Sequence, residues 1–292
     1  MVKKKRFTTV LVILSLFASV LAGSAAAEDQ VIELKGANEQ EINTYLKNAG
    51  YTQEVIDTLE LYQKNYLYEE EATFTAHKNA LGQLTETQEG ISEDFRLMAL
   101  PNWNHSLVVS QVKAKTGYVD FIFSYNWDWS YDPVFTSEEK FGIAWTDGFH
   151  PDPSTAKYSY QARGKQDRPT AYPGCPATRT NGGTVWSGYS TYNPGAGIGW
   201  AINLIGSWWT QDCGYYTVNG HKGSGQVKAG KAHNNNNGPA RSSAVGKYYH
   251  KTFAANGELG FSGVPTISIS PSSNYDPSDE VGTRWDWVHK NY

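Results

Sequence analysis

The chain has 292 residues, with 29 acidic and 25 basic side chains and a formal net charge of −4. That length is enough for one large or two small domains with a real hydrophobic core. Beyond the first thirty residues no stretch approaches the ~20 apolar residues of a membrane-spanning helix, which excludes helical membrane spans there. With 19 Tyr, 10 Trp, 11 Phe and 28 Gly but only 2 Met, the composition favours strands and turns over long helices.

Residues 1–27 have the form of a signal peptide. Lys3, Lys4, Lys5 and Arg6 make a positive start, an apolar run follows from Val10 to Leu21, and Ala25, Ala26 and Ala27 supply small side chains before Glu28. Twelve apolar residues cover only about 18 Å of helix, short of the ~30 Å hydrocarbon core. Ser24 stands where a lipoprotein site would need Cys, so no lipid anchor is expected. The expectation is cleavage near Ala27 and a secreted product.

Charge is unevenly placed. Residues 28–100 hold 15 acidic and 5 basic side chains, a net of −10, whereas residues 163–251 hold 10 basic and 2 acidic ones, a net of +8. Such asymmetry implies two units with different partners, or two units that attract each other.

The acidic segment 28–100 reads as a short helical hairpin. Asn38 with Glu41 three positions on makes a capping box, and Gly50 closes the first helix. Ile42, Tyr45, Leu46 and Ala49 share a face. A second helix starts at Thr52, with Val55, Ile56, Leu59, Tyr62 and Tyr66 at three-four spacing, so the two helices are expected to pack on each other. Glu69, Glu70 and Glu71 read as solvated surface.

From Pro101 the pattern changes to that of an antiparallel β-rich domain, 101–292, read as a β-sandwich. Residues 119–131 alternate strictly. Val119, Phe121, Phe123, Tyr125, Trp127, Trp129 and Tyr131 fall on one face, and Asp120, Ile122, Ser124, Asn126, Asp128 and Ser130 on the other. Phe141, Ile143 and Trp145 suit a partner strand reached through Asp132-Pro133. Further strands are expected at 107–115, 184–190, 198–210, 214–219 and 259–270, separated by turn signals at Asn193-Pro194-Gly195 and Asn219-Gly220. Cys175 and Cys213 suit one disulfide. It closes a 38-residue loop, for which chain entropy gives roughly 4 kcal/mol.

Catalytic and metal motifs are absent or incomplete. Asn126, Asp128, Ser130 and Asp132 space like calcium ligands, but the glycine and the closing glutamate are missing. Gly225 to Lys231 approaches a phosphate loop, yet Ala232 replaces the metal-binding hydroxyl. His221, His233 and His250 have no metalloprotease spacing. Asp128, Glu138, Glu139, Asp147 and Asp152 could supply an acid–base pair only through tertiary proximity. No cofactor or metal is implied.

The remaining signal is aromatic. Trp186, Tyr189, Trp208, Trp209, Tyr215 and Tyr216 crowd a stretch rich in Gly, Ser and Asn, the side chains a sugar-binding surface uses. If 208–209 and 215–216 lie on strands, one member of each pair faces away from the core. The leading expectation is a secreted, non-catalytic binding protein acting on cell-wall or extracellular polysaccharide. An anionic surface could also be met through residues 163–251, whereas nucleic acid finds no binding motif. A toxin-like protein with an acidic pro-region at 28–100 and a secreted hydrolase are the alternatives.

Overall fold

Helix capping sets the first elements of the computed structural model, which describes residues 37–82, 103–113, 117–129, 138–233, 239–251, 257–262, 264–270 and 275–288. In α1 (Glu39–Asn48) the Asn38 side chain accepts from Glu41 N–H, and the Glu41 carboxylate accepts from Asn38 N–H, both at 3.0 Å. This box satisfies two donors that a helix start leaves unpaired. Gly50, at φ 96°, closes the helix in the left-handed conformation that glycine adopts freely.

The helix expected from Thr52 is in fact two, α2 (Gln53–Thr58) and α3 (Leu61–Glu69). Leu59 between them is extended, and Glu60 opens a new capping box with Gln63. A local cap here outcompetes continuation of the helix. The packing differs too. Ile42, Leu46, Val55, Ile56, Leu59 and Leu67 bury themselves against Val108, Val112 and Ile122 of the sheet as well as against each other.

Residues 28–36 and 83–100 lie outside the described residues; within the described part of 28–100 the helices end at Glu69, and Thr73–Gly82 is a strand, β1, where a helical segment was expected. It pairs with β2 (Trp103–Gln111), which pairs with β3 (Tyr118–Trp129). Then come β4 (Glu138–Gln166), β5 (Thr178–Ser187), β6 (Thr191–Asn193), β7 (Gly195–Asn203), β8 (Ser207–Thr210), β9 (Gly214–Ala232) and β10 (Ala240–Lys251). A hairpin, β11 (Glu258–Ser262) with β12 (Thr266–Ser270), precedes β13 (Tyr275–Pro277) and β14 (Val281–Trp287).

The architecture is predominantly antiparallel β, as composition and alternation imply. Its main sheet runs β1-β2-β3-β9-β4-β10-β13, with β14 beside β10, β5 and β7 beside β4, β6 beside β7 and β8 beside β9. The sheet is nearly closed, with β14 lying against β1 and β2. β4 joins its parts: residues 138–149 pair with β7, and residues 150–166 pair with β9. Register shifts between Ala144 and Phe149 and between Asp152 and Lys157 mark the bend. Among the described residues no helix is long and apolar enough to cross a membrane.

Several sequence boundaries move. The stretch 198–210 is two strands, β7 and β8, and 259–270 is a hairpin. The 214–219 strand runs on to Ala232. Asn219-Gly220 therefore sits inside β9, where a register shift opposite Arg163 and Gly164 absorbs it as a bulge instead of a turn. Gly225 to Lys231 is strand as well, which removes any phosphate loop. Tyr131, Ser130 and Asp132 lie outside the described residues.

The alternation in β3 has the expected consequence. Val119, Phe121, Phe123, Tyr125, Trp127 and Trp129 are all buried, and they pack with Trp103, Phe141, Trp145, Trp200 and Tyr248. Room for these rings comes from the partner strand. Gly223 lies opposite Trp127, and a Cβ there would overlap the indole. Replacing Gly223 by Ala should therefore destabilise the protein by about 1–3 kcal/mol through overpacking, read as a lower urea midpoint with an unchanged slope.

Candidate functional site

The β8–β9 hairpin presents two aromatic layers because its side chains alternate. Trp208 pairs with Tyr216, and Trp209 with Tyr215. The first pair faces inward. Its rings stack at 5.3 Å with only 8° between planes, and Tyr216 is fully buried. The second pair faces outward, with Trp209 57 % exposed and Tyr215 60 % exposed. Cross-strand partners on one face stand about 5 Å apart at their Cβ atoms, the spacing of a continuous apolar platform.

The hairpin tip is held rigidly. Cys175 and Cys213 form the expected disulfide, with Cα atoms 5.7 Å apart. Gln166 Nε2 donates to the Cys213 carbonyl at 2.9 Å, and Tyr216 OH donates to the Pro176 carbonyl at 3.0 Å. Polar groups border the two rings. Thr217, Lys165 and Thr178 form a cross-strand row spanning β9, β4 and β5, all exposed. Asp167 Oδ1 accepts from the Thr217 N–H at 3.2 Å and from its hydroxyl at 2.7 Å. Sequence reasoning named Tyr215 but not Thr217, which the same alternation in 214–219 places on its face. Lys165 comes from a distant segment and only strand pairing brings it here.

The other aromatic candidates divide. Tyr189, 40 % exposed, packs edge-on against Tyr192 at 4.9 Å, forming a separate small patch. Trp186 is half-buried against Tyr158 at 5.3 Å. Tyr216 belongs to the packing and cannot meet a ligand, and Trp208 is largely covered.

The basic stretch is mostly paired. Arg163 meets Asp128 at 2.6 Å, Lys222 meets Glu60 at 2.6 Å, and Lys228 meets Glu70 at 2.9 Å. Arg179, Arg241 and Lys247 likewise reach Asp212, Asp286 and Glu280. The positive segment therefore attracts acidic groups of its own chain, two of them, Glu60 and Glu70, from the helical layer. Lys165 and Arg168 make no ion pair among the described residues.

A second concentration of polar groups is internal. Glu139 is fully buried, and its Oε2 accepts from Tyr248 OH at 2.8 Å, His250 Nδ1 at 3.0 Å and Lys251 N–H at 3.2 Å. Nearby, Tyr160 OH accepts from Ile205 N–H at 3.2 Å and shares a hydrogen bond with His221 Nδ1 at 2.8 Å. Tyr248 packs among Trp103, Trp127 and Trp129 at 4.7–5.1 Å. His233 lies elsewhere, against Trp287. Asn126 is buried on the outer face of β3, and Asp128 is engaged by Arg163. Among the described residues no three His, Cys, Asp or Glu side chains converge as a metal shell.

No protein-family model and no curated protein matches the chain. Among solved structures, collagen adhesin from S. aureus aligns at 9 % identity over 74 % of this chain and 80 % of that one, with a TM-score of 0.23. A structure of manganese lipoxygenase of Gaeumannomyces graminis with part of zonadhesin of Komagataella pastoris aligns at 8 % identity over 75 % and 86 %, with a TM-score of 0.24. Neither likeness, at these values, bears on fold or function.

Burial pushes the pKa of His221 down to about 4, with His250 and Arg163 adding to the effect, and burial lowers that of His105 to about 4 as well. The unfolded chain takes up these protons near pH 6.5, before the folded one does. Stability is thus complete above pH 6.5 and declines as pH falls towards 4, by up to about 3 kcal/mol for each histidine. The urea midpoint measured between pH 7 and 4 should fall accordingly, and His221→Gln should flatten that fall.

Proposed function

We propose that the protein is an exported, non-catalytic binding protein that holds polysaccharide of a cell envelope or extracellular matrix on the β8–β9 platform. The observation that carries this reading is the exposure of Trp209 and Tyr215 as a cross-strand pair on a disulfide-braced hairpin. Flat rings stack on the apolar faces of sugars, and a rigid platform loses little side-chain entropy when it binds. Thr178 and Lys165 add hydroxyl and ammonium donors for sugar oxygens, and the Thr217 hydroxyl, its proton given to Asp167, can accept from a sugar O–H.

The pairing of most cations in 163–251 with acids of the same chain argues for a neutral polymer over an anionic one. We further take the nearly closed sheet as a β-sandwich, and residues 1–27 as a cleaved export signal. The toxin-like alternative draws on the ion pairs of Glu60 and Glu70 with β9. N-terminal sequencing of active material from culture separates the two: a start near Glu28 favours the binding protein, and a start near Pro101 favours removal of a pro-region.

The platform itself is tested by co-sedimentation with insoluble chitin, cellulose and cell-wall preparations. Trp209→Ala combined with Tyr215→Ala should weaken retention at least about tenfold, equivalent to ~1.4 kcal/mol, with an unchanged thermal midpoint. Undiminished retention by a folded double variant would remove this site.

A further inference from the structure

A separate feature lies where α3 ends. Both α1 and α3 close with the same backbone motif. In α1, Gly50 N–H donates to the Lys47 carbonyl and Tyr51 N–H to the Leu46 carbonyl. In α3, Glu71 N–H donates to the Tyr68 carbonyl at 3.2 Å and Ala72 N–H to the Leu67 carbonyl at 2.9 Å. The position that α1 fills with glycine is filled in α3 by Glu71, at φ 49°. It is the one non-glycine residue with positive φ among the described residues.

That choice is doubly unfavourable for the fold. A side chain in the left-handed region is strained where glycine is not. Carboxylates at a helix C-terminus also face the negative end of the helix dipole, and Glu69, Glu70 and Glu71 stand there in a row. Two of the three have structural partners. Glu69 accepts from Asn65 Nδ2 at 2.7 Å, and Glu70 pairs with Lys228 at 2.9 Å. Glu71 meets Lys113 at 3.9 Å, with both side chains more than half exposed. A pair so long and so open contributes little.

Glu71 instead lines a surface cleft of about 580 Å³, bordered by Tyr45, Tyr68, Glu69, Gln111 and Lys113. That volume is in the range of small-ligand pockets. The Tyr45 and Tyr68 rings meet edge to face at 5.2 Å and 89°, forming an aromatic corner. Tyr45 is fixed by its hydroxyl, which donates to the Ala72 carbonyl at 3.1 Å. Tyr68 is 36 % exposed, so part of its ring remains open to solvent.

We infer that this cleft binds a small organic cation, its ammonium group held between the Tyr45–Tyr68 corner and the Glu69 and Glu71 carboxylates. Aromatic faces attract ammonium groups through the ring quadrupole, most strongly when water is partly excluded, and adjacent carboxylates add Coulomb attraction. Lys113 is then an internal competitor, since its own ammonium already leans towards Glu71. Burial, with Glu71 as the next cause, raises the Tyr45 phenol, so that ring stays neutral in the site at physiological pH. The inference stands apart from the sugar platform and shares no residue with it.

The test uses the full chain titrated with tetramethylammonium chloride, with sodium chloride at matched ionic strength as the reference, followed by tyrosine fluorescence and calorimetry. Saturable binding specific to the organic cation is expected. Tyr68→Ala and Glu71→Gln should each weaken it about tenfold, and Lys113→Gln should strengthen it. Glu71→Gly should abolish most binding while raising the thermal midpoint, because it relieves the left-handed strain and removes a charge from the helix end. Equal responses to the two salts would overturn the site. So would wild-type affinity in Glu71→Gln, or an unchanged or lowered midpoint in Glu71→Gly.

Discussion

Strand β3 must bury both of its faces, and most of the molecule follows from that requirement. Its inner face is a row of aromatic rings that only a second layer of strands can cover. Its outer face carries Ile122, Ser124 and Asn126, all buried although two are polar. A buried polar group needs a partner, and the helical layer with its neighbouring strands supplies one for Ser124 but, among the described residues, none for the Asn126 side-chain amide. Gln226 Nε2 donates to Ser124 Oγ at 2.8 Å, Tyr62 OH and Ser224 Oγ share a hydrogen bond at 3.0 Å, and Tyr51 OH donates to Ser110 Oγ at 2.7 Å. The helices thus seal a mixed face, with Val108 and Ile122 providing the apolar part.

The charge asymmetry acquires a physical role in the same place. At the edge of the seal, Glu60 and Glu70 meet Lys222 and Lys228 of β9. Partly buried pairs are screened less than open ones, so they help fix the register of helices on sheet. Farther along β9, towards its start, Tyr215 and Thr217 are exposed. The proposed platform occupies that exposed part, where Trp209 and Tyr215 face water side by side. Exposed rings braced by a disulfide are a different use of aromatics from the core rows of β3, although the composition is the same.

How much of this could be read beforehand depended on the range of the interaction. Local chemistry was legible: the Asn38–Glu41 box, the Gly50 stop, the alternation of 119–129 and the pairing of two cysteines each depend on residues or constraints visible in the sequence. The opposed faces of Trp208–Trp209 and Tyr215–Tyr216 followed from a period of two. Long-range constraints were not legible. Asn219-Gly220 has the chemistry of a turn, yet β4 and β9 pair through it because a bulge costs less than ending two long strands. The break at Leu59 depended on Glu60 competing as a cap. Lys165 joined the platform only through strand pairing.

The remaining irregularities fall into two kinds, and packing tells them apart. At the interior end of the sheet, Trp103, Trp127 and Trp129 have indole nitrogens without protein partners among the described residues, as does His221 Nε2. These rings stand in close mutual contact around Tyr248, so the polar atoms are confined by the core that surrounds them. Their effect is on stability and its pH dependence. Glu71 breaks a local rule at the surface, where glycine performs the same closure one helix earlier. A sequence whose local choices agree with its fold almost everywhere makes such a surface exception informative. The strain buys the fold nothing, and the carboxylate it positions opens onto a cleft walled by two tyrosines.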